Sequence, residues 1–224
     1  VTRDLPDLAP LIDHALLDPL QGSEAIHRCC DEARHYGFAG VCVASRWVGE
    51  ARQRLPVETQ GRGTTPRLIA VVGFPFGAVP SAVKRAEAEA AAAAGADELD
   101  VVPDFGGLVD GKTSLVLDEL AAICELGPPV KVILEAGRLE PEQLALLVEI
   151  CIDAGARFLK SGSGFGPAVT TDQVVRLREL ARGRAGVKAS GGIATLEQAL
   201  ELVEAGATRL GTSRGVALMQ ALRT

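Results

Sequence analysis

Two lysines each close a short apolar run. One is Lys160, in Arg157-Phe158-Leu159-Lys160-Ser161-Gly162-Ser163-Gly164; the other is Lys188, in Gly186-Val187-Lys188-Ala189-Ser190-Gly191-Gly192. In each, an apolar stub delivers an amine into a loop of small residues. An amine held in a dry pocket at the end of a barrel strand can lose its proton and attack a carbonyl carbon. A second ammonium nearby helps, because like charge disfavours protonation. Taken singly, each is most simply a solvated lysine at a strand end, since lysine is rarely buried. The case depends on what surrounds the pair.

Asp100 lies in Asp97-Glu98-Leu99-Asp100-Val101-Val102, where alternation puts Glu98, Asp100 and Val102 on one strand face. Alone it reads as a structural ion-pair partner; beside two lysines it reads as a proton-transfer acid. Cys42 reads as an inert core thiol, because no His–Cys pairing is visible. His14 reads as an oriented structural imidazole. Glu135 either supports a lysine or seals the barrel, and both readings stand. The loops Ser190-Gly191-Gly192 and Gly211-Thr212-Ser213 suit a phosphate held on backbone N–H groups and a short helix start, although tight connections need glycine anyway. Ser163 and Gly164 add donors from a third loop. Arg214 is either a charged fork for the same anion or a solvated side chain.

The elements that must position these residues alternate along the chain. Short apolar runs predict strands over 11–16, 40–43, 68–72, 98–102, 130–134, 158–160, 187–189 and 209–211. Amphipathic runs predict helices over 23–36, 46–54, 80–94, 114–125, 141–154, 171–181, 196–205 and 216–222. Ser23, Ser81 and Thr195 suit N-caps or first turns, and Gly37, Gly95, Gly155 and Gly206 suit the position after a helix. The phrase Ala-Gly-Ala-polar ends a helix and opens a strand three times, at Ala94, Ala154 and Ala205. Eight strand–helix pairs in alternation predict a closed parallel (β/α)8 TIM barrel, with the site at the C-terminal strand ends. A doubly wound open sheet is the runner-up; no G-x-G-x-x-G follows the first strand to support it. With no composition break, residues 1–224 read as one domain. Residues 60–66 read as a mobile loop.

Bulk composition narrows the function classes. The chain is 47% hydrophobic and 23% charged with a formal charge of −6, so it has core material for one domain and no basic stripe for nucleic acid. Its five cysteines show no C-x-x-C spacing and read as reduced thiols in the cytoplasm. The three histidines (His14, His27 and His35) show no metal-ligand spacing. No run approaches the roughly 18–20 apolar residues of a membrane span, and the first residues lack a signal-peptide layout.

Taken together, these segments resemble the 2-deoxyribose-5-phosphate aldolases, class I Schiff-base enzymes on a TIM barrel. The resemblance runs from about Leu11 to Leu218. It is carried by Ile12-Asp13-His14-Ala15-Leu16-Leu17, Gly40-Val41-Cys42-Val43, Val72-Gly73-Phe74-Pro75-Phe76-Gly77, Gly95 through Val102, Lys131-Val132-Ile133-Leu134-Glu135, Phe158-Leu159-Lys160-Ser161, Val187 through Ile193 and Ala205 through Ser213. It implies Lys160 as the Schiff-base lysine, Lys188 as the second lysine that activates it and assists proton transfer, and Asp100 as the acid of the proton relay. Asp13, Cys42, Ser163, Gly164, Gly191, Gly192, Ser213 and Arg214 become candidate substrate contacts. The implied partners are small aldehydes and sugar phosphates, with no metal or organic cofactor; a homo-oligomer is an open possibility.

The chain also departs from that family's usual pattern. It has Ala15 for Thr, Asp18 for Lys, Ala44-Ser45 for Asn-Pro, Asp104 for Asn and Ala136 for Thr. It reads Ser161-Gly162-Ser163-Gly164-Phe165 for Thr-Ser-Thr-Gly-Phe, Pro167-Ala168-Val169 for a glycine-rich stretch, and Arg214 for a second serine. The three chemical residues are intact while their surroundings have moved. The expectation is therefore firmer for the carbon–carbon chemistry than for the acceptor. One alternative is a related Schiff-base aldolase using a different or non-phosphorylated acceptor aldehyde in a biosynthetic pathway; a second is an inactive barrel serving as a binding module. Against a third reading, a sugar-phosphate isomerase or epimerase on the same fold, the chain lacks the paired carboxylates or carboxylate–histidine set that such proton shuttling usually uses.

Overall fold

A computed structural model describes residues 7–55 and 65–222. Its strands are β1 (Ile12–Leu16), β2 (Gly40–Ala44), β3 (Arg67–Val72), β4 (Glu98–Val101), β5 (Val130–Ile133), β6 (Phe158–Lys160), β7 (Gly186–Ser190) and β8 (Arg209–Thr212). They pair in parallel in that order and β8 closes on β1, the predicted closed barrel.

Alternation along each strand gives the two sides of the sheet opposite characters. Residues such as Val41, Val43, Leu68, Ala70, Leu99, Val101, Val130, Val132, Leu159, Val187 and Leu210 face outward into one continuous apolar core beneath the helices. That core is what holds the helices to the barrel. The inward positions are different: Cys42, Ile69 and Val71 form a small separate apolar cluster, and Asp13, Glu98, Asp100, Lys131, Lys160 and Lys188 are all buried. The barrel is apolar outside and largely ionic within.

The described residues contain nine helices: α1 (Ser23–Tyr36), α2 (Val48–Arg54), α3 (Ser81–Ala93), α4 (Phe105–Val109), α5 (Thr113–Cys124), α6 (Pro141–Asp153), α7 (Thr171–Ala181), α8 (Leu196–Glu204) and α9 (Gly215–Ala221). Two Thr caps fix the helices after the lysine-bearing strands. Thr170 accepts from Gln173 N and Thr195 from Gln198 N, and each glutamine returns the bond to its cap. Gly37 takes the left-handed conformation that ends α1.

Several boundaries differ from the sequence reading. Pro10 starts a 3₁₀ turn at Ala9–Leu11, so β1 begins at Ile12. Residues Ser45–Trp47 form a 3₁₀ turn before α2. Helix α4 was not expected, because Gly106 and Gly107 disfavour a helix; a Cβ at Gly107 would lie 2.6 Å from Asp104 Oδ2, so the glycine admits that carboxylate. Within the sequence reading of N-caps or first turns, Ser23 and Ser81 are the first helical residues and Thr195 is an N-cap. Strand β7 runs to Ser190, which leaves Lys188 within the strand rather than at its end. The expected mobile loop over 60–66 lies, except for Thr65 and Pro66, outside the described residues.

Candidate active site

Strand register brings the charged residues together. Asp100 on β4 pairs with Lys131 on β5, Lys160 on β6 with Lys188 on β7, and Lys188 with Arg209 on β8. Because all of them point inward, their side chains meet inside the barrel. The Asp100 carboxylate is the centre. Its Oδ2 accepts from Lys160 Nζ at 2.9 Å and Lys188 Nζ at 2.8 Å, and its Oδ1 accepts from Lys131 Nζ at 2.8 Å. The two lysine amines therefore share one oxygen and lie closer than two hydrogen-bond lengths.

Asp13 sits on the other side of Lys188. Its Oδ2 is 2.6 Å from Lys188 Nζ and its Oδ1 is 2.8 Å from Arg209 Nη1. Lys131 Nζ also contacts Glu98 Oε2 at 2.6 Å. One inward glycine makes the arrangement possible: a Cβ on Gly211 would stand 2.9 Å from Lys188 Cε and from Ser190 Cβ.

The charge states follow from this packing. Burial works against the Asp100 carboxylate, yet the ammoniums of Lys131, Lys160 and Lys188 outweigh it and hold the group well below its ordinary value. Burial likewise opposes the Asp13 carboxylate, and Lys188, Lys131 and Arg209 together hold it below the usual range. Burial opposes the Lys188 ammonium, but Asp100 and Asp13 more than compensate, so Lys188 is a firmly held cation. Burial, then the Asp100 charge, pushes the Cys42 thiol up to about 11.

Above this layer opens a cavity of about 490 Å³. Lys160, Lys188, Cys42, Ser163, Gly164, Gly191, Gly192, Ser213 and Arg214 line it, so nine of the sequence candidates meet in one place. Asp100 lies just beneath, reaching it through the lysines. Asp13 stands apart from the other candidate substrate contacts: it does not line the cavity, and its fully buried carboxylate faces Lys188 and Arg209. Ala15, Leu16, Leu17, Phe165 and Ser190 complete much of the wall.

Two other candidates find different places. Glu135, at a left-handed φ of 47°, accepts from Ser163 N at 2.6 Å, so it braces the β6–α7 loop rather than a lysine. His14 faces outward, 2.8 Å from Glu32 Oε2 and against the Phe38 ring. Lys131, Glu98 and Arg209 were not singled out as site residues. For Lys131 a signal was present: a lysine within Val130-Lys131-Val132-Ile133 breaks a strand that should be apolar on both faces. Among the described residues, no group of three His, Cys, Asp or Glu side chains is arranged to hold a metal ion.

A closed parallel barrel with two lysine amines sharing one buried carboxylate below its C-terminal mouth defines a class: (β/α)8 barrels with an ionic, lysine-bearing interior site. No family model matches the chain. A deoxyribose-phosphate aldolase of Thermosynechococcus vestitus is 50% identical over 219 residues, covering 97% of this chain and 98% of that protein. Among solved structures, a putative deoxyribose-phosphate aldolase from Coccidioides immitis superposes with a TM-score of 0.92 at 33% identity, covering 98% of this chain and 88% of that one. The deoxyribose phosphate aldolase of Aeropyrum pernix, described as a tetramer, superposes with a TM-score of 0.85 at 33% identity, covering 97% and 91%. The chain belongs to the deoxyribose-phosphate aldolase family.

Proposed function

We propose that the protein is a carbon–carbon lyase that reversibly cleaves 2-deoxy-D-ribose 5-phosphate to acetaldehyde and D-glyceraldehyde 3-phosphate through an imine on Lys160. Family membership supports the reaction. The observation that carries the residue assignment is the unequal pairing of the two cavity lysines. Lys188 is clamped between the carboxylates of Asp13 and Asp100, whereas Lys160 contacts Asp100 alone. Lys160 is therefore the amine freer to leave its ion pair and react.

In the cleavage direction the neutral Lys160 amine adds to the C1 aldehyde, and the carbinolamine loses water to give an iminium. The C3 hydroxyl gives up its proton and the C2–C3 bond breaks. Its electron pair flows into the iminium, leaving an enamine on Lys160 and releasing glyceraldehyde 3-phosphate. Protonation of the enamine carbon and addition of water then release acetaldehyde and restore the amine. The Asp100–Lys188 pair, in contact with Lys160, holds and returns these protons. Ser163, Gly164, Gly191, Gly192, Ser213 and Arg214 form the outer part of the cavity, where we place the phosphate. Gly164, Gly191 and Gly192 all have positive φ, and a Cβ on Gly191 would meet Gly164 at 3.6 Å, so these two loops approach backbone to backbone.

The test is reduction with borohydride in the presence of acetaldehyde, followed by peptide mapping. An adduct on Lys160 supports the assignment; an adduct mainly on Lys188 that survives Lys160→Ala overturns it. An apolar acceptor is a second reading, favoured by Phe165, which lines the cavity while 60% exposed and meets Phe74 and Phe76 edge-on. Comparing glyceraldehyde with its 3-phosphate as acceptors, for the native chain and Arg214→Ser, decides between them. A phosphate preference that falls in the variant supports a phosphate held by Arg214. A preference that rises identifies Arg214 as an obstacle and favours the apolar acceptor.

We further propose one catalytic domain spanning the chain and a reducing, cytoplasmic setting, the latter supported by five free cysteines. No helix among the described residues is long and apolar enough to cross a membrane. Self-association is supported by exposed apolar side chains such as Phe76, Val109 and Leu115, and light scattering on the purified protein tests it.

A further inference from the structure

We propose that Arg209 is a positioning residue for the imine chemistry, fixing Lys188 through Asp13 from outside the cavity. The inference rests on the reading that Lys160 forms the imine with Lys188 beside it. Arg209 opens β8 and does not line the cavity. Its guanidinium lies 5.5 Å from the Phe158 ring centroid, and its Nη1 is 2.8 Å from Asp13 Oδ1 and 3.7 Å from Glu98 Oε2. The opposite Asp13 oxygen is 2.6 Å from Lys188 Nζ. A continuous ion chain thus runs from Arg209 through Asp13, Lys188 and Asp100 to Lys160.

Asp13 is stretched between two cations, one on each oxygen, which sets the rotation of its carboxylate. Without Arg209 the strongest remaining pulls on Asp13 are Lys188 and, at 4.0 Å, Lys131. The carboxylate then turns toward both, and Lys188 loses its fixed position in the cavity wall. The surroundings favour this path. A Cβ on Gly40 would stand 2.7 Å from Ile69 Cδ1, 2.8 Å from the Arg67 carbonyl oxygen and 3.2 Å from Asp13 Oδ1, so the glycine spares a crowded spot of which that oxygen is one part. A Cβ on Gly186 would stand 2.6 Å from the Phe158 ring, so that glycine admits the ring against which the guanidinium rests.

The experiment measures kcat and KM for cleavage of deoxyribose 5-phosphate in Arg209→Met, Arg209→Lys, Asp13→Asn and the Asp13→Asn/Arg209→Met double variant, each confirmed folded by circular dichroism. Arg209→Met should lower kcat by about 10²-fold, the order expected for a misplacement of roughly 1 Å, with KM unchanged. Arg209→Lys should recover most of that loss. Adding Arg209→Met to Asp13→Asn should cost nothing further, because the route through Asp13 is already cut. A folded Arg209→Met with native kcat, or a loss that adds in full to that of Asp13→Asn, overturns the proposal. Should Arg209→Met not fold, the same cycle with Arg209→Lys decides: its smaller loss must vanish in the Asp13→Asn background. Borohydride trapping on the native protein separates the two levels. No Lys160 adduct there removes the underlying reading, whereas an intact adduct with kcat indifferent to Arg209 removes only this inference.

Discussion

Replacing Asp100 by Asn tests the centre of the ionic layer. With every group ionised, Asp13, Glu98 and Asp100 face Lys131, Lys160, Lys188 and Arg209, three negative charges against four positive. Asparagine leaves two against four and turns an amide NH2, itself a donor, toward ammoniums that Asp100 now receives at 2.8 and 2.9 Å. Near-identical size does not protect the fold here. Removing one partner of a buried ion pair costs about 3–5 kcal/mol, a large share of the roughly 5–15 kcal/mol that holds a domain together. Cleavage of deoxyribose 5-phosphate should slow by roughly 10²–10⁴-fold, as for other losses of a positioned acid–base group. The pH dependence has a definite sign. The folded Asp100 carboxylate is held well below its ordinary value, so its stabilising effect is complete above the unfolded value of about 3.9 and is lost as pH falls through the folded one. The stability gap between native protein and variant, from urea unfolding, should stay constant over about pH 5–8 and narrow below about pH 4. Turnover is measured well below the variant's unfolding midpoint. An unchanged midpoint together with near-native cleavage would refute the reasoning; a gap that fails to narrow in acid would remove the ionic explanation for the stability loss.

Three further outcomes are expected. Lys188→Leu removes the cation that shares Asp100 Oδ2 with the Lys160 amine; acetaldehyde and borohydride should still label Lys160, while the rate profile moves to higher pH as the like charge disappears. An unchanged profile with residual activity contradicts that role. Gly211→Ala forces a Cβ to 2.9 Å from Lys188 Cε, and should cost about 1–3 kcal/mol of stability by overpacking, with a loss of kcat in protein that remains folded; native kcat would mean that Lys188 has room to spare. Burial pushes the Cys42 thiol up to about 11, so near neutral pH it stays protonated, and iodoacetamide should modify it only after unfolding; rapid labelling of the folded protein, mapped to Cys42, would contradict this.

What was legible in the sequence was whatever is local. The strand–helix alternation announced the barrel, and Lys160 and Lys188 stood out because small-residue loops follow them. Asp100 stood out because alternation paired it with Glu98. What pairing across strands decides was not legible. Lys131 and Glu98 are visible as charges in apolar strands, but the chain does not say what they meet; only the register sets Lys131 beside Asp100 and Arg209 beside Lys188. The ion pairs of Asp13 were hidden for the same reason, since its partners lie on β7 and β8. Lys84 and Glu119 form a second hidden pair. On an amphipathic pattern both belong to solvated helix faces, yet their side chains meet at 2.8 Å in full burial where α3 packs on α5. Helix α4 was missed because two glycines argue against it locally, and Asp104 needs one of them for space.

The division between the two sides of the sheet explains how so charged an interior is tolerated. Buried ion pairs give back in attraction roughly what they cost in lost hydration, so the inner layer adds little net stability. Stability comes instead from the outward core. Val41, Leu68, Leu99, Val132, Leu159 and Leu210 are each fully buried beneath the helices, and each is worth about 1.5–3 kcal/mol by burial. The inner layer is then free to be arranged for chemistry. Six of its seven ionisable side chains are fixed by partners on neighbouring or facing strands. Lys160 differs in combining one short ion contact, to Asp100, with a place in the cavity wall. A reacting amine must both leave its ion pair and meet a carbonyl, and the packing gives that combination to Lys160 while clamping Lys188, the other cavity lysine, between two carboxylates.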